Sequence, residues 1–490
     1  MDRSSADPAA LADLISGWTA GPGVIYRRLA DAVAQLIETG DLPAGARLPS
    51  ERAFAQALAV SRSTVVAAYD ELRGRGLVDS RRGSGTRVRG AGGRPRTDRI
   101  TAGSGESMFA QFTTASDELI SMAFAVDAGA PELGQALQEL VDEDLSHLLR
   151  DVGYHPRGIA ALRSAIATRL SDEGLATTPD QLVVTTGAHQ ATALVSQMYL
   201  RRGATVVVES PSWPGSFDLF AAAGASVVGV PLDADGLRID GLAAAMAEHR
   251  PALVFVMPTF HNPTGRLMSA TRRRRLGELV AETDTVVVED NAYSSMLADI
   301  TVPAPLAAYA PAGAQILTIG SLSKAVWGGL RIGWVRASVP VAERLARHKA
   351  LADLGTPVLD QALATRLLPR LPELTATRSA TARRRLGHMT GLLRERLPDW
   401  RWEEPTGGSA LWIELPDADA QVFGQVARRH GVELVAGRST DPTGAHDAYI
   451  RLPFTYPMDL LTEVVDRLDR AWSDFRRHGA PPVGADSPVV

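Results

Sequence analysis

Between residues 181 and 321, six apolar runs (QLVVTTG, ATVVVES, ASVVGVPL, ALVFVMP, TVVVED and QILTIGS) recur between stretches rich in Ala, Leu and Arg. Each run is apolar throughout rather than at every second residue. A strand of that kind is buried on both faces, and such strands separated by helices build a mostly parallel sheet with helices on either side. An α/β fold is therefore expected for this part of the chain. At 490 residues the chain exceeds what one hydrophobic core supports, so two or three domains are expected. No apolar run reaches the roughly 18 residues that span a bilayer. The N-terminal MDRSSADPAALADLISG lacks the basic start and apolar core of a signal peptide, so a cytoplasmic protein with no membrane partner is expected. The chain has no cysteine, which excludes disulfides, thiolate metal sites and thiol nucleophiles and fits a reducing compartment. No metal is expected.

Charge divides the chain unevenly. Residues 24 to 90 hold 11 arginines against 7 acidic residues, a net of +4, while the whole chain carries −5. A basic head on an acidic body points to an anionic partner for the head. The stretch RGAGGRPRTDRITAGSGESMFAQFTTASDE that follows reads as a linker. Its 30 residues would average roughly 30 Å end to end and reach about 100 Å when extended. The expected division is a head over 20–89, a linker over 90–118, a body over 119–475 and a disordered tail over 476–490, the disorder beginning after Trp472. There is no internal repeat.

Within the head, RLPSERAFAQALAVSRSTVVAAYDELRGRGLVDSRRGSGTRV places Ser50 and Ser61 as N-caps of two short helices joined by a tight turn near Val60. The second helix, about 62–75, carries Val65, Tyr69 and Leu72 at core spacing and presents Arg62, Ser63 and Thr64 at its start, as a recognition helix does toward base edges. A hairpin with SRRGSG at its tip follows and suits a wing lying on phosphates. The bland alternative is a helical cap that packs on the body. The order LPSER, SR.TV, L...G and G.GT.V resembles the winged helix-turn-helix of the GntR family. That resemblance implies double-stranded operator DNA as partner, with Arg47, Ser50, Arg52, Arg62, Ser63, Thr64 and Gly85 facing it and Arg82 in the wing.

Lysine is nearly absent: 49 of the 51 basic residues are arginine, leaving only Lys324 in GSLSKAVWGGLRIGW and Lys349 in RLARHKALADL. Arginine stays protonated, whereas a desolvated lysine becomes a nucleophilic amine able to form a Schiff base. Lys349, among alternating charges, reads as a solvated helix residue. A Schiff-base cofactor must also be held by its phosphate, ring nitrogen and ring faces. Ser321, Ser323 and Arg331 surround Lys324 in sequence, and TTGAHQAT opens a helix where the amides of Ala188 and His189 could face a phosphate. Asp290 ends the strand TVVVED, suited to keeping a pyridine nitrogen protonated. Tyr293 and the Asn262 of HNPTG could donate to a phenolic oxygen. A lone histidine is more often structural, so His189 and His261 receive no catalytic role.

Together and in this order these features resemble the fold type I, aspartate-aminotransferase-like enzymes that use pyridoxal 5'-phosphate, over most of residues 120 to 470. The resemblance implies that Trp213 stacks on the pyridine ring, that Tyr154 reaches the phosphate in the partner subunit's site, and that Arg451 binds an effector's or substrate's carboxylate bidentately. Head, linker and body in one chain resemble the MocR subfamily of bacterial regulators. That implies a head-to-tail homodimer, each head resting on the other protomer's body, and a body that senses an amine or amino acid. The alternatives are a working aminotransferase with a DNA-binding appendage and a regulator whose site holds no cofactor.

Overall fold

The computed structural model describes residues 7–15, 18–19, 24–39, 41–42, 46–75, 77–81, 85–88, 119–125, 127–293 and 300–478. In the head, Ser50 and Ser61 cap the helices Glu51–Ala57 and Arg62–Gly74, their hydroxyls accepting from the amides of Ala53 and Thr64 at 3.2 Å. Each bond satisfies an amide that the first turn would otherwise leave open. Between the helices Ala59 adopts a left-handed φ of 49°, which turns the chain. Phe54, Val65, Tyr69 and Leu72 are buried against the helix Ile25–Thr39. The wing is the antiparallel pair Val78–Arg81 and Gly85–Val88.

The head begins earlier than residue 20. The helix Pro8–Leu14, capped by Asp7, contributes Leu11 and Ala12 to the head's core, and Ile15 and Trp18 join them. Seven residues with two inward apolar side chains give too short a period to be read as a helix face.

The body's main sheet has eight strands. Their spatial order is Leu182–Thr185, Gly333–Arg336, Ile316–Ser321, Val286–Asp290, Leu253–Val256, Thr205–Ser210, Ser226–Asp233 and Gly236–Leu237. The neighbours from Ile316–Ser321 to Ser226–Asp233 pair in parallel, whereas Gly333–Arg336 runs antiparallel to both of its neighbours. Alternate residues feed opposite layers. Val206, Val208, Phe255 and Val288 join the core under the helices Ala188–Tyr199 and Val339–Asp353, while Val207, Val254, Val256 and Val287 join the core under Ile239–His249 and Ala270–Ala281. That two-sided burial is why these strands are apolar throughout.

A smaller C-terminal domain pairs Arg401–Trp402, Ala410–Glu414, Tyr449–Pro453 and Val435–Ala436 in an antiparallel sheet. Trp400, Phe423 and Trp472 meet edge to face at its centre, with ring centroids 5.3 to 5.7 Å apart. The expectation of disorder after Trp472 is corrected here. The helix Met458–His478 continues past it because Trp472 and Phe475 bury their rings in this core. Residues 479–490 lie outside the described residues. Ile120–Ser121 pairs with Val432–Glu433, so the first segment of the body returns to this small domain.

The head rests on the small domain of its own chain. Arg429 donates to the carbonyls of Leu58 and Ala59 at 2.8 and 3.0 Å, and Gln421 donates to the Asp13 carboxylate. The resemblance puts that contact between protomers; the single chain makes it internally. Among the described residues no helix is long and apolar enough to cross a membrane.

Candidate functional site

Strand register brings the expected site residues to one edge. Thr185 lies opposite Gly333, Gly333 opposite Ser321, and Ile319 opposite Asp290. The turns that follow Thr185, Asp290 and Ser321 therefore open beside one another at the carboxyl ends of the strands, where open α/β sheets bind ligands. Lys324 follows Ser321 by three residues and points its amine at the Ala125 carbonyl, 2.8 Å away. The same amine sits 5.0 Å from the centre of the Tyr293 ring.

Asp290 is buried beneath. Burial pushes its carboxyl up to about 6, against the pull of the Ala292 amide and the Lys324 charge. Burial would also raise the Tyr293 phenol, but the positive charges of Lys324 and Arg451 and hydrogen bonds with Ser409 and Lys324 outweigh it and hold the phenol below its ordinary value. Asn262 is buried ahead of a cis bond to Pro263. Arg451 donates from Nη1 to the Ala123 carbonyl at 3.0 Å, and its buried Nε has no partner. Trp213 stands at the N-cap of the helix Pro214–Ala222, with His189 edge-on to its ring at 5.7 Å. Tyr154 is 67% exposed.

Beside the lysine, the helix Ala188–Tyr199 begins after Gly187, whose φ is 93°. A Cβ at Gly187 would lie 2.9 Å from the Arg331 guanidinium, so only glycine lets that arginine approach the helix start. Arg331 itself adopts a left-handed φ of 52°, a strained choice for a non-glycine residue that points to a functional constraint. The Ser321 hydroxyl donates to that of Ser323 at 3.0 Å.

On the head, the Arg62 side chain is 70% exposed, 3.9 Å from Glu51. Ser63 and Thr64 meet the Ser61 hydroxyl at 2.7 and 2.8 Å, so the start of the recognition helix is ordered by its own cap. Arg52 is exposed, Ser50 serves as a cap, and Arg47 bridges to Arg87 of the wing. Gly85 opens the second wing strand opposite Arg81. Arg82 lies outside the described residues.

Residues 25–88 match the family of bacterial regulatory proteins called gntR, and residues 129–468 match aminotransferase class I and II. The transcriptional regulator YdfD of Bacillus subtilis, named as uncharacterized and HTH-type, is 29% identical over 88% of this chain and 92% of its own length. The probable rhizopine catabolism regulatory protein MocR of Rhizobium meliloti is 29% identical over 66% of this chain and 67% of its own. Among solved structures, the α-aminoadipate aminotransferase LysN of Thermus thermophilus, complexed with N-(5'-phosphopyridoxyl)-L-leucine, superposes with a TM-score of 0.68. It is 28% identical and covers 77% of this chain and 96% of its own. The chain belongs to the MocR-type GntR regulators.

The cofactor of this MocR-type chain is pyridoxal 5'-phosphate, and its residues fit that group. A single amine, a buried acid, a glycine-spaced arginine beside a helix N-terminus and an arginine Nε without a partner face one edge of the sheet. When bound, the cofactor supplies an aldehyde that condenses with amines and a ring that withdraws electrons.

Sequence reading missed three residues of this neighbourhood. Lys349 is fully buried rather than solvated, because its helix turns it inward, where its amine meets Asp353 at 2.7 Å and Gln190 at 2.9 Å. Gln190 follows His189 at once and accepts from the Thr186 amide at 2.8 Å. Glu209, in the strand beneath the site, is buried beside His261. An acid ending a buried strand was the available signal for Glu209, and it was visible in ATVVVES.

Proposed function

We propose that this protein is a cytoplasmic DNA-binding transcriptional regulator whose body holds pyridoxal 5'-phosphate and senses that cofactor, an amine or an amino acid. One observation carries the reading. The same chain presents an open recognition helix, with Arg62 70% exposed, and a lysine flanked by a buried acid and an arginine-lined helix start. A metabolic enzyme has no use for the first, and a plain repressor head has no use for the second.

In this reading Lys324 carries the cofactor covalently and Asp290 pairs with its ring nitrogen. Asn262 and Tyr293 donate to its phenolic oxygen, and Trp213 covers the ring. The amides of Ala188 and His189, the hydroxyls of Ser321 and Ser323, and Arg331 hold the phosphate. Arg451 takes an effector's carboxylate. Arg47, Ser50, Arg52, Arg62, Ser63, Thr64, Arg82 and Gly85 form the DNA face. The exposure of Tyr154 supports a head-to-tail homodimer in which it reaches the phosphate of the partner subunit. In such a pair the surfaces now joined by Arg429, Leu58 and Ala59 are exchanged between subunits, as in other domain-swapped dimers, and a 30-residue linker is long enough for it.

A second reading, an active aminotransferase with a DNA-binding appendage, is favoured by the convergence of Lys324, Asp290 and Tyr293. One experiment separates the two. Candidate amines, amino acids and pyridoxal 5'-phosphate are titrated against the protein bound to DNA from its own promoter region while keto-acid formation is assayed. A ligand-dependent change in DNA affinity without turnover supports the regulator. Rapid turnover with DNA binding indifferent to every ligand supports the enzyme.

A further inference from the structure

The chain's second lysine is built into the support of the phosphate cup. Lys349 lies on the helix Val339–Asp353 with no exposed surface. Its amine donates to the Asp353 carboxylate at 2.7 Å and to Gln190 Oε1 at 2.9 Å, and Gln190 Nε2 donates to the same carboxylate oxygen at 2.6 Å. Gln190 Oε1 also accepts from the Thr186 amide at 2.8 Å, and the Thr186 carbonyl accepts from Arg331 Nη2 at 2.5 Å. A continuous run of hydrogen bonds therefore links Lys349 through Gln190 and Thr186 to the arginine of the cup.

The charges in this run are strongly held. Burial pulls Lys349 below its ordinary value while Asp353 opposes that. Burial would raise Asp353, but donation from Lys349, Gln190 and the Gly355 amide outweighs it and keeps the carboxylate low. The other oxygen of Asp353 accepts from the Gly355 amide at 3.0 Å. Gly355 packs so tightly on the backbone of His155 that a Cβ there would lie 2.7 Å from the His155 carbonyl. Residue 155 adjoins Tyr154, so the same node also packs against the segment that carries that tyrosine.

We propose that Lys349 is a positioning residue for the cofactor phosphate, acting through Gln190 to fix the 186–188 turn and Arg331 without touching the cofactor. Resting on the cofactor and phosphate-cup assignment above, this answers why a chain of arginines keeps a second lysine. A compact ammonium on a thin stem donates to two acceptors at once in a buried place, whereas a guanidinium is a larger, planar and rigid fork.

The test compares pyridoxal 5'-phosphate with pyridoxal, which lacks the phosphate, on full-length protein stripped of cofactor. Binding is followed by absorbance and equilibrium dialysis for the wild type, Lys349→Met, Gln190→Ala and the double variant. Each single variant is expected to bind pyridoxal 5'-phosphate about tenfold more weakly, because a charged donor or its relay is lost from a buried network. The double variant should be no weaker than the worse single, since both sit in one run. Pyridoxal affinity should stay within about twofold of wild type, since no phosphate contact is at stake.

Unchanged affinity for pyridoxal 5'-phosphate overturns the proposal, and so does an equal loss for both ligands. If Lys349→Met does not fold, Gln190→Ala decides by the same two outcomes. Wild-type protein that binds neither ligand overturns the cofactor assignment and the brace with it. Wild-type protein that binds the cofactor through Lys324, with variants unaffected, sinks the brace alone.

Discussion

His261 Nε2 lies 3.4 Å from the Glu209 carboxylate, and both residues are buried. Burial pushes Glu209 from 4.5 up to about 8, although the Met257 amide donating to it pulls the other way. Burial, aided by the charge of Arg266, pulls His261 from 6.5 down to about 3. A neutral pair in an apolar layer avoids the desolvation of two ions.

The two groups act on stability in opposite directions. His261 is protonated more readily in the unfolded chain, so its contribution is lost as pH falls below 6.5. Glu209 keeps its proton in the folded chain after the unfolded chain has lost it, so stability falls as pH rises from 4.5 to about 8. Between 6.5 and 8 only Glu209 acts. Glu209→Gln, which still accepts from the Met257 amide, should remove that decline and stabilise the protein by at least ~1 kcal/mol at pH 8, with little effect at pH 5. Urea unfolding across this range checks it, and parallel curves for variant and wild type would show that the carboxyl is not buried with its proton.

Lys324 should carry the cofactor. Borohydride reduction followed by peptide mass spectrometry is expected to find the adduct on Lys324 and none on Lys349, whose amine is committed to Asp353 and Gln190. Lys324→Ala should lose the reducible adduct while retaining cofactor through Arg331 and the helix start. An adduct on Lys349 would contradict the geometry as well as the assignment.

On the head, Arg62 and the wing should divide their work. Arg62→Ala is expected to cost about 1 to 3 kcal/mol at a specific operator and less on random DNA, whereas Arg82→Ala should weaken all sequences alike and flatten the salt dependence. Anisotropy titrations at several salt concentrations check this. Equal losses from both changes on both kinds of DNA would mean that Arg62 reads no base.

Legibility followed burial geometry. The six strands were visible because each carries a mainly apolar run at its centre, and most are buried on two faces. Gly333–Arg336 was not, since a four-residue strand containing two of the site motif's own residues reads as loop. The small domain's strands of two to five residues, apolar on one face, gave no continuous run. The helix caps at Ser50 and Ser61 and the turn between them were legible because capping is local chemistry. Lys349 was misread for the opposite reason. A lysine with an aspartate four residues on looks like a surface pair, and only Gln190, arriving from a distant helix, turns it into a buried node.

The last prediction concerns how a ligand in the body reaches the head. Residues 119–125 follow the linker directly, and the site's own cations hold them: Arg451 donates to the Ala123 carbonyl and Lys324 to the Ala125 carbonyl, while the Tyr456 hydroxyl binds the carbonyls of Ser121 and Phe124. A cofactor that takes the Lys324 amine and a carboxylate that takes Arg451 each compete with one of these bonds. Ligand binding therefore changes how firmly the base of the linker is tied to the small domain, on which the head also rests through Arg429. Switching DNA binding from about 1:99 to 99:1 requires a ligand that favours one state by about 5.5 kcal/mol, and partial switching requires less. An effector carrying a carboxylate should alter operator affinity at concentrations where turnover is undetectable, and Arg451→Ala should weaken that response. Tyr456→Phe, which removes the hydroxyl's bonds to the Ser121 and Phe124 carbonyls without touching either cation, should shift the ligand-free protein toward the effector-bound affinity. Hydrogen exchange over residues 119–125 with and without effector reads the step directly, and protection that is indifferent to ligand would remove this segment from the route.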